Sequence, residues 1–360
     1  MDQWEKCKNI LCIRADNMGD LLMSSPAIRA LKKTFNCRIT LLTSAMGNLI
    51  APFINAIDDT IVANLPWVKT EAPVNKNEFS ALVEALRLYQ FDAVVIFTVY
   101  SQNPLPAALL AYMAGIPKRL AYCRENPYHL LTNWVVEKEP YTFIQHQVER
   151  DLNLVKMIGA EVKDQRIQIH FSEEAKISAL KKLKGASVDL HKDWLIIHPG
   201  VSETKREYPE NEWIKTGKLL RDDLSFQIVI TGSESENALC ERIEQGIGEN
   251  SFSLSGLLSV EELIALISQS PVIISVNTGT VHIAAATQTP VIVLYALTNP
   301  QHTPWKVAST ALFFSVKEDL RSKNEVVNYV NQKMMNQKAA IPSPAIILEE
   351  VKKILNAVNV

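Results

Sequence analysis

The chain reads as two doubly wound α/β domains, and three observations predict it. Short, near-continuous apolar runs alternate with longer amphipathic ones. That alternation occurs twice, on either side of a weakly patterned stretch between 159 and 193. The 360 residues also suit two domains at roughly 100–200 residues each. Apolar runs without in-and-out alternation belong to parallel strands covered by helices on both faces. Two such sets make two doubly wound sheets.

In the first half, strands are expected at 10–14, 38–43, 60–63, 93–97 and 119–122, with helices at 20–33, 77–89, 105–114 and 145–158. The run 104–117 is bounded by prolines and is too short to span a membrane, which takes about 20 residues. In the second half, strands are expected at 194–198, 226–231, 251–254, 272–276 and 291–295. The helices between them are placed at 209–220, 234–247, 260–268 and 278–287. The first of these starts at Pro209, a good first helical residue. Ser233 and Glu236 have capping-box spacing ahead of the second, and Asn277 can cap the last. A final amphipathic helix, 345–357, follows Pro342-Ser343-Pro344. Domains are therefore expected over 1–165 and 190–335, joined by a solvated connector around Lys181-Lys182-Leu183-Lys184-Gly185. The segment 343–358 is expected to return and pack on the first domain.

Composition narrows the function. Lys and Arg against Asp and Glu give 37 − 39 = −2, with 47% apolar residues. This is a soluble globular balance, with no basic excess to meet nucleic acid. The five cysteines are odd in number and scattered, so neither a disulfide framework nor a zinc site is expected. No other cluster has metal-ligand spacing. The N-terminus lacks a basic segment leading into an apolar core, and a reducing cytoplasm is the expected compartment.

Ligands of doubly wound sheets sit beyond the carboxyl ends of the strands, and two such domains would share a cleft. The chemistry-bearing motifs fall after strands. Arg14-Ala15-Asp16-Asn17-Met18-Gly19-Asp20 opens the first helix with a single glycine, so it is no dinucleotide fingerprint. Asp20 is either a helix-terminus carboxylate or a base at the cleft edge. The second motif, His198-Pro199-Gly200-Val201-Ser202-Glu203-Thr204-Lys205-Arg206, offers hydroxyls and two cations to phosphate oxygens. The third, Asn277-Thr278-Gly279-Thr280-Val281-His282, opens a helix whose free N–H groups bind anions. Thr231-Gly232-Ser233 marks another strand end, and no Ser sits in a nucleophile elbow.

Together these motifs resemble the heptosyltransferase-like glycosyltransferases, family nine, of bacterial lipopolysaccharide assembly. The carriers are Asn17-Met18-Gly19-Asp20-Leu21-Leu22, Ser25-Pro26-Ala27-Ile28-Arg29-Ala30-Leu31, His198-Pro199-Gly200 and Tyr208-Pro209-Glu210-Asn211-Glu212-Trp213. Leu254-Ser255-Gly256, the block from Asn277 to Ala286, and Leu297-Thr298-Asn299-Pro300 complete them, so the likeness covers nearly the whole chain. The resemblance implies the GT-B architecture, two facing Rossmann-like domains, and inverting transfer from a nucleotide-activated sugar without a metal. ADP-heptose is the donor it implies, with no resident cofactor, and a saccharide or lipopolysaccharide-type glycolipid is the acceptor. Peripheral contact with the inner membrane would follow.

By the same likeness Asp20 is the general base on the acceptor hydroxyl. Lys205 or Arg206 contacts the donor phosphates; counting from His198 favours the first, counting back from Pro209 the second. Ser202 or Thr204 supplies a loop hydroxyl. Gly232, Asn277, Thr278, Gly279, Thr280 and His282 line the donor, and Leu258 touches its base. Arg119 and Arg124, beside Lys118 and His129, are placed toward an anionic acceptor. Two departures are visible. Asn277 stands where the family carries Asp, and Tyr295-Ala296-Leu297-Thr298-Asn299-Pro300 replaces Gly-Pro-Thr-Asp-Pro. Asn277 keeps a catalytically silent nucleotide-sugar-binding protein in view as one alternative, and a GT-B sugar-nucleotide epimerase is another.

Overall fold

The computed structural model of the chain describes residues 4–68, 75–333 and 339–358. It divides into two compact units, Met1–Gln168 and Ile169–Val360. The end expected for the second domain, residue 335, lies outside the described residues.

The first unit runs β1 (Asn9–Ile13), α1 (Met18–Phe35), β2 (Arg38–Thr43), α2 (Ala45–Asn48), β3 (Asp59–Val62), α3 (Lys76–Leu88), β4 (Ala93–Ile96), α4 (Leu105–Met113), β5 (Lys118–Cys123), β6 (Asn133–Val136) and α5 (Gln147–Lys156). Its six strands are all parallel in the order β3-β2-β1-β4-β5-β6. Ile10, Leu11, Cys12 and Ile13 are all buried, as a strand covered on both faces requires. Leu86, Ala108 and Leu110 of α3 and α4 fill one side of the sheet. On α1, Leu21 to Leu31 are buried almost without interruption, although Pro26 lies inside the helix. Pro26 has no N–H for the Leu22 carbonyl; the Ser25 hydroxyl donates to that carbonyl at 2.7 Å.

The second unit runs α6 (Glu173–Gly185), β7 (Trp194–His198), α7 (Glu210–Leu224), β8 (Gln227–Ile230), α8 (Asn237–Ile247), β9 (Ser251–Ser253), α9 (Val260–Gln269), β10 (Ile273–Val276), α10 (Gly279–Thr287), β11 (Val291–Ala296), β12 (Ser309–Phe314), α11 (Glu325–Lys333) and α12 (Pro344–Val358). Its parallel sheet has the order β12-β11-β10-β7-β8-β9. Numbered from β7, this is the first sheet's order again, the Rossmann order. Trp213, Leu220, Ile243 and the strand residues Leu195 and Ile230 share one core.

Three expectations are corrected here. Each sheet has six strands where five were expected; β6 and β12, the missed ones, are partly exposed edge strands. The supposed connector is helix α6, which packs on α9 inside the second unit, tied by Lys182 to Glu262 at 2.6 Å. The terminal helix α12 was expected on the first unit. It lies instead on α7, with Ile347, Leu348, Val351 and Ile354 in the second unit's core and Lys352 paired with Asp223 at 2.7 Å. Among the described residues no helix is long and apolar enough to cross a membrane.

Candidate active site

A doubly wound sheet binds ligands where adjacent strands send their following loops in opposite directions. In the first unit that switch point lies between β1 and β4. The loop after β1 carries Arg14, Asp16 and, in the first turn of α1, Asp20. The loop after β4 carries Gln102, whose amide donates to Asp16 Oδ1 at 2.7 Å and joins the two loops.

Arg14 organises this end. Its side chain is 0% exposed, and its Nη2 donates to Asp20 Oδ1 at 3.0 Å, while Asp20 keeps 16% exposure. The carboxylate is therefore gripped from inside and reachable from outside, as a base must be. Arg14 Nε lies 3.4 Å from Asp16. Burial works against the Arg14 charge, but Asp16, Asp20 and Asp151 outweigh it and raise its pKa. Burial, with the Asp20 charge behind it, pushes Asp16 above the usual carboxylate range despite Arg14.

The two arginines assigned to an acceptor fare differently. Arg124 follows β5 at its carboxyl end, donates to the Tyr100 and Glu139 carbonyls at 3.0 and 2.8 Å, and lies over the Tyr141 ring. Arg119 sits near the start of β5, the opposite end of the strand. It is buried and binds the backbone carbonyls of Ile116, Pro117, Leu130 and His129. The acceptor role expected of it does not fit: the guanidinium clamps the loop before β6.

In the second unit the switch point lies between β7 and β10, and the loops after these strands are the two expected phosphate motifs. Ser202 and Thr204 are exposed. Thr204, Lys205 and Arg206 form one short helical turn. Arg206 Nη1 donates to the Asn277 carbonyl at 3.2 Å, which brings its guanidinium to the turn before α10. Lys205 pairs with Glu203 at 3.0 Å, and the same carboxylate takes Arg206 at 2.9 Å. Of the two candidate cations, Arg206 is thus the one placed at the switch point.

No side chain caps the first turn of α10. The Thr278 hydroxyl oxygen there is buried with no hydrogen-bond partner, as is Arg206 Nε. Gly279 and Thr280 follow in that turn, and His282 is buried one turn on with its ring edge-on to His302. Asn277 does something the sequence did not reveal. Its Nδ2 donates to Thr298 Oγ1 at 3.1 Å, that hydroxyl donates to the Ala296 carbonyl at 3.2 Å, and Ala296 N–H returns to Asn277 Oδ1 at 3.3 Å. Both ends of the carboxamide are thereby taken in splinting β10 to β11. An aspartate has no N–H to give Thr298.

Gly232 lies two residues beyond the end of β8, and Leu258 is half-buried between β9 and α9. A residue that sequence reading left as a mere cap also lies here. Glu236 accepts from the Ser233 N–H at 2.7 Å, and a Cβ at Gly200 would come within 2.0 Å of its carboxylate. Any side chain at Gly200 would push the Glu236 carboxylate aside. Buried His198 meets Thr231 Oγ1 at 2.9 Å, and burial lowers its pKa although Glu236 opposes the shift. The signal for Glu236 was present in the sequence, as a capping-box acid just beyond a strand's carboxyl end.

Two Rossmann-like units, each with motif loops at its switch point, make up the GT-B fold class. The model of glycosyltransferase family 9 (heptosyltransferase) matches residues 79–334, and the chain belongs to that family. Lipooligosaccharide heptosyltransferase 2 of Haemophilus influenzae is 26% identical over 315 residues, covering 82% of this chain and 85% of its own. Among solved structures, a family 9 glycosyl transferase from Veillonella parvula superposes with a TM-score of 0.77 at 16% identity, over 97% of each chain. The E. coli ADP-heptose lps heptosyltransferase II superposes with a TM-score of 0.72 at 20% identity, over 98% of this chain and 100% of that one.

Proposed function

We propose that this glycosyltransferase moves a heptose from ADP-heptose to a lipopolysaccharide-type saccharide acceptor, with inversion and without a resident metal ion. Asp20 takes the proton of the acceptor hydroxyl as its oxygen attacks the anomeric carbon. The bond from that carbon to the diphosphate oxygen breaks as the new glycosidic bond forms, and the nucleoside diphosphate leaves. Its growing charge needs fixed positive partners. Arg206 and the uncapped first turn of α10 supply them, with Thr278 offering a hydroxyl.

One observation carries most of the weight: Arg206 reaches across the second switch point to the turn that opens α10. A forked cation and a helix N-terminus then meet at one place, the pairing a diphosphate calls for. ADP-heptose as donor is supported by the name of the E. coli relative. Thr298 and Asn277, which bind each other here, leave the loop after β11 with its own chemistry, so related sugars belong in the test.

The test is product analysis with ADP-heptose, and with ADP-linked sugars related to heptose, in the presence and absence of a heptose-deficient lipopolysaccharide core. The expected result is acceptor-dependent release of ADP and a new glycosidic bond of inverted configuration. Donor binding with no turnover on any such acceptor would replace this reading with a silent nucleotide-sugar binder. Acceptor-independent conversion of the donor sugar would replace it with an epimerase.

A further inference from the structure

We propose that Asp151 is a positioning residue for Asp20: a buried carboxylate on α5 that acts through Ser24 and Arg14 to hold the base in place. This rests on the reading of Asp20 as the base and adds a residue from a distant part of the chain.

Asp151 is 1% exposed, and it stands behind the switch point rather than at it. Its Oδ2 accepts from Ser24 Oγ at 2.6 Å, and that hydroxyl lies 3.1 Å from the backbone carbonyl of Asp20, one turn earlier on α1. Its Oδ1 accepts from Gln147 Nε2 at 2.9 Å, and the same amide reaches the Thr98 carbonyl just beyond β4. Asp151 therefore fastens the first turns of α1 to the loop after β4, the two elements that frame the switch point.

Charge provides the second link. Arg14 faces three carboxylates, Asp16, Asp20 and Asp151, and its buried Nη1 has no hydrogen-bond partner. How strongly the guanidinium is drawn toward Asp20 depends on the charge it meets behind. The groups around Asp151 are Arg14 from the end of β1, Ser24 from α1, Gln147 and Arg150 from α5, and Tyr122 from β5. Arg150 is itself held by Glu137 and Glu139 and lies over the Tyr122 ring. Burial lifts the Asp151 carboxyl to about 6 against the pull of Arg14, Ser24 and Arg150. An isolated buried acid is costly, and this one changes charge close to neutral pH. Ionised, Asp151 accepts from Ser24 and Gln147 and adds its negative charge to the field on Arg14. Protonated, it no longer adds its charge to the field on Arg14 and turns from acceptor to donor toward Ser24, which loosens the frame of the base.

The test is Asp151→Asn, which keeps the shape and an acceptor for Ser24 but removes the charge. The expected result is a folded enzyme whose kcat at pH 8 falls about tenfold, below the roughly hundredfold that a full ångström of misplacement costs. Donor KM stays unchanged, and the limb of the kcat profile near pH 6 disappears. Ser24→Ala cuts the 2.6 Å link while leaving the Asp151 carboxylate in place, and, since that link lowers the carboxyl's pKa, should move the same limb to higher pH. If Asp151→Asn fails to fold, the decision falls to Ser24→Ala. A kcat profile identical to the parent's in a folded Asp151→Asn, or in Ser24→Ala where the former does not fold, overturns the proposal. Asp20→Asn runs in parallel: full turnover there overturns the base itself, whereas its loss beside an unaltered Asp151→Asn overturns only the positioning role.

Discussion

Lys205 and Arg206 are adjacent and equally charged, yet Arg206 reaches the Asn277 carbonyl while Lys205 pairs with Glu203. A charge-assisted hydrogen bond is worth about 1.5–3 kcal/mol and an exposed ion pair about 0.2–1. Arg206→Ala should therefore weaken ADP binding by about 10–100-fold, and Lys205→Ala by about fivefold or less, as calorimetry will show. Equal losses would remove the distinction. Sequence counting left these two open because a one-residue choice inside a loop depends on backbone path. Arg119 was misassigned for a related reason: basic residues clustered in sequence here straddle a strand, and only Arg124 lies at its carboxyl end. Asp151 was invisible, being one acid on an amphipathic helix with nothing nearby in sequence to mark it. Its raised pKa has a sign that can be checked. The folded chain binds this proton more tightly than the unfolded chain, so the stability it contributes is full below about pH 4 and lost as pH rises through 6. At pH 8 the ionised form costs about 3 kcal/mol relative to the neutral one. Asp151→Asn should raise the Tm of the first unit at pH 8 and give no gain at pH 4. A Tm difference that is the same at both values would show that Asp151 does not change charge between them.

At the scale of elements, legibility followed burial. The inner strands β1, β4, β7 and β10 are buried on both faces, and their unbroken apolar runs announced them. The edge strands β6 and β12 expose two of four and two of six residues, bury almost none, and carry no such run. Helix α12 was recognised, but amphipathic spacing says only that a face is buried and not against what; the Ile347 to Ile354 face sits on α7. Helix α1 shows how a motif can be structural and functional at once. Ser25 and Pro26 carried the family likeness, and in the structure Ser25 serves the carbonyl that Pro26 leaves without a donor. Ser25→Ala strands that buried carbonyl and should destabilise the first unit by about 1–3 kcal/mol. Chemical denaturation measures this, and no loss of stability would mean that the carbonyl has another donor.

Across the whole molecule, one design appears twice. Each unit has its own core, the same strand order, and a polar bridge between the two loops at its switch point: Gln102 to Asp16 in the first, Arg206 to Asn277 in the second. The sequence disclosed this repetition because the two apolar alternations are separated by an unpatterned stretch. It did not disclose Arg14, whose hold on Asp20 joins a strand end to a helix start across only six residues. The proposed function assigns acid–base chemistry to the first unit and diphosphate binding to the second. Turnover and donor affinity should then be separable by mutation. Their measurement on Asp20→Asn is the most direct test. The account predicts that kcat falls by about 100-fold or more while the Kd for ADP-heptose does not change. Undiminished kcat, or donor binding lost together with turnover in a folded variant, would contradict it.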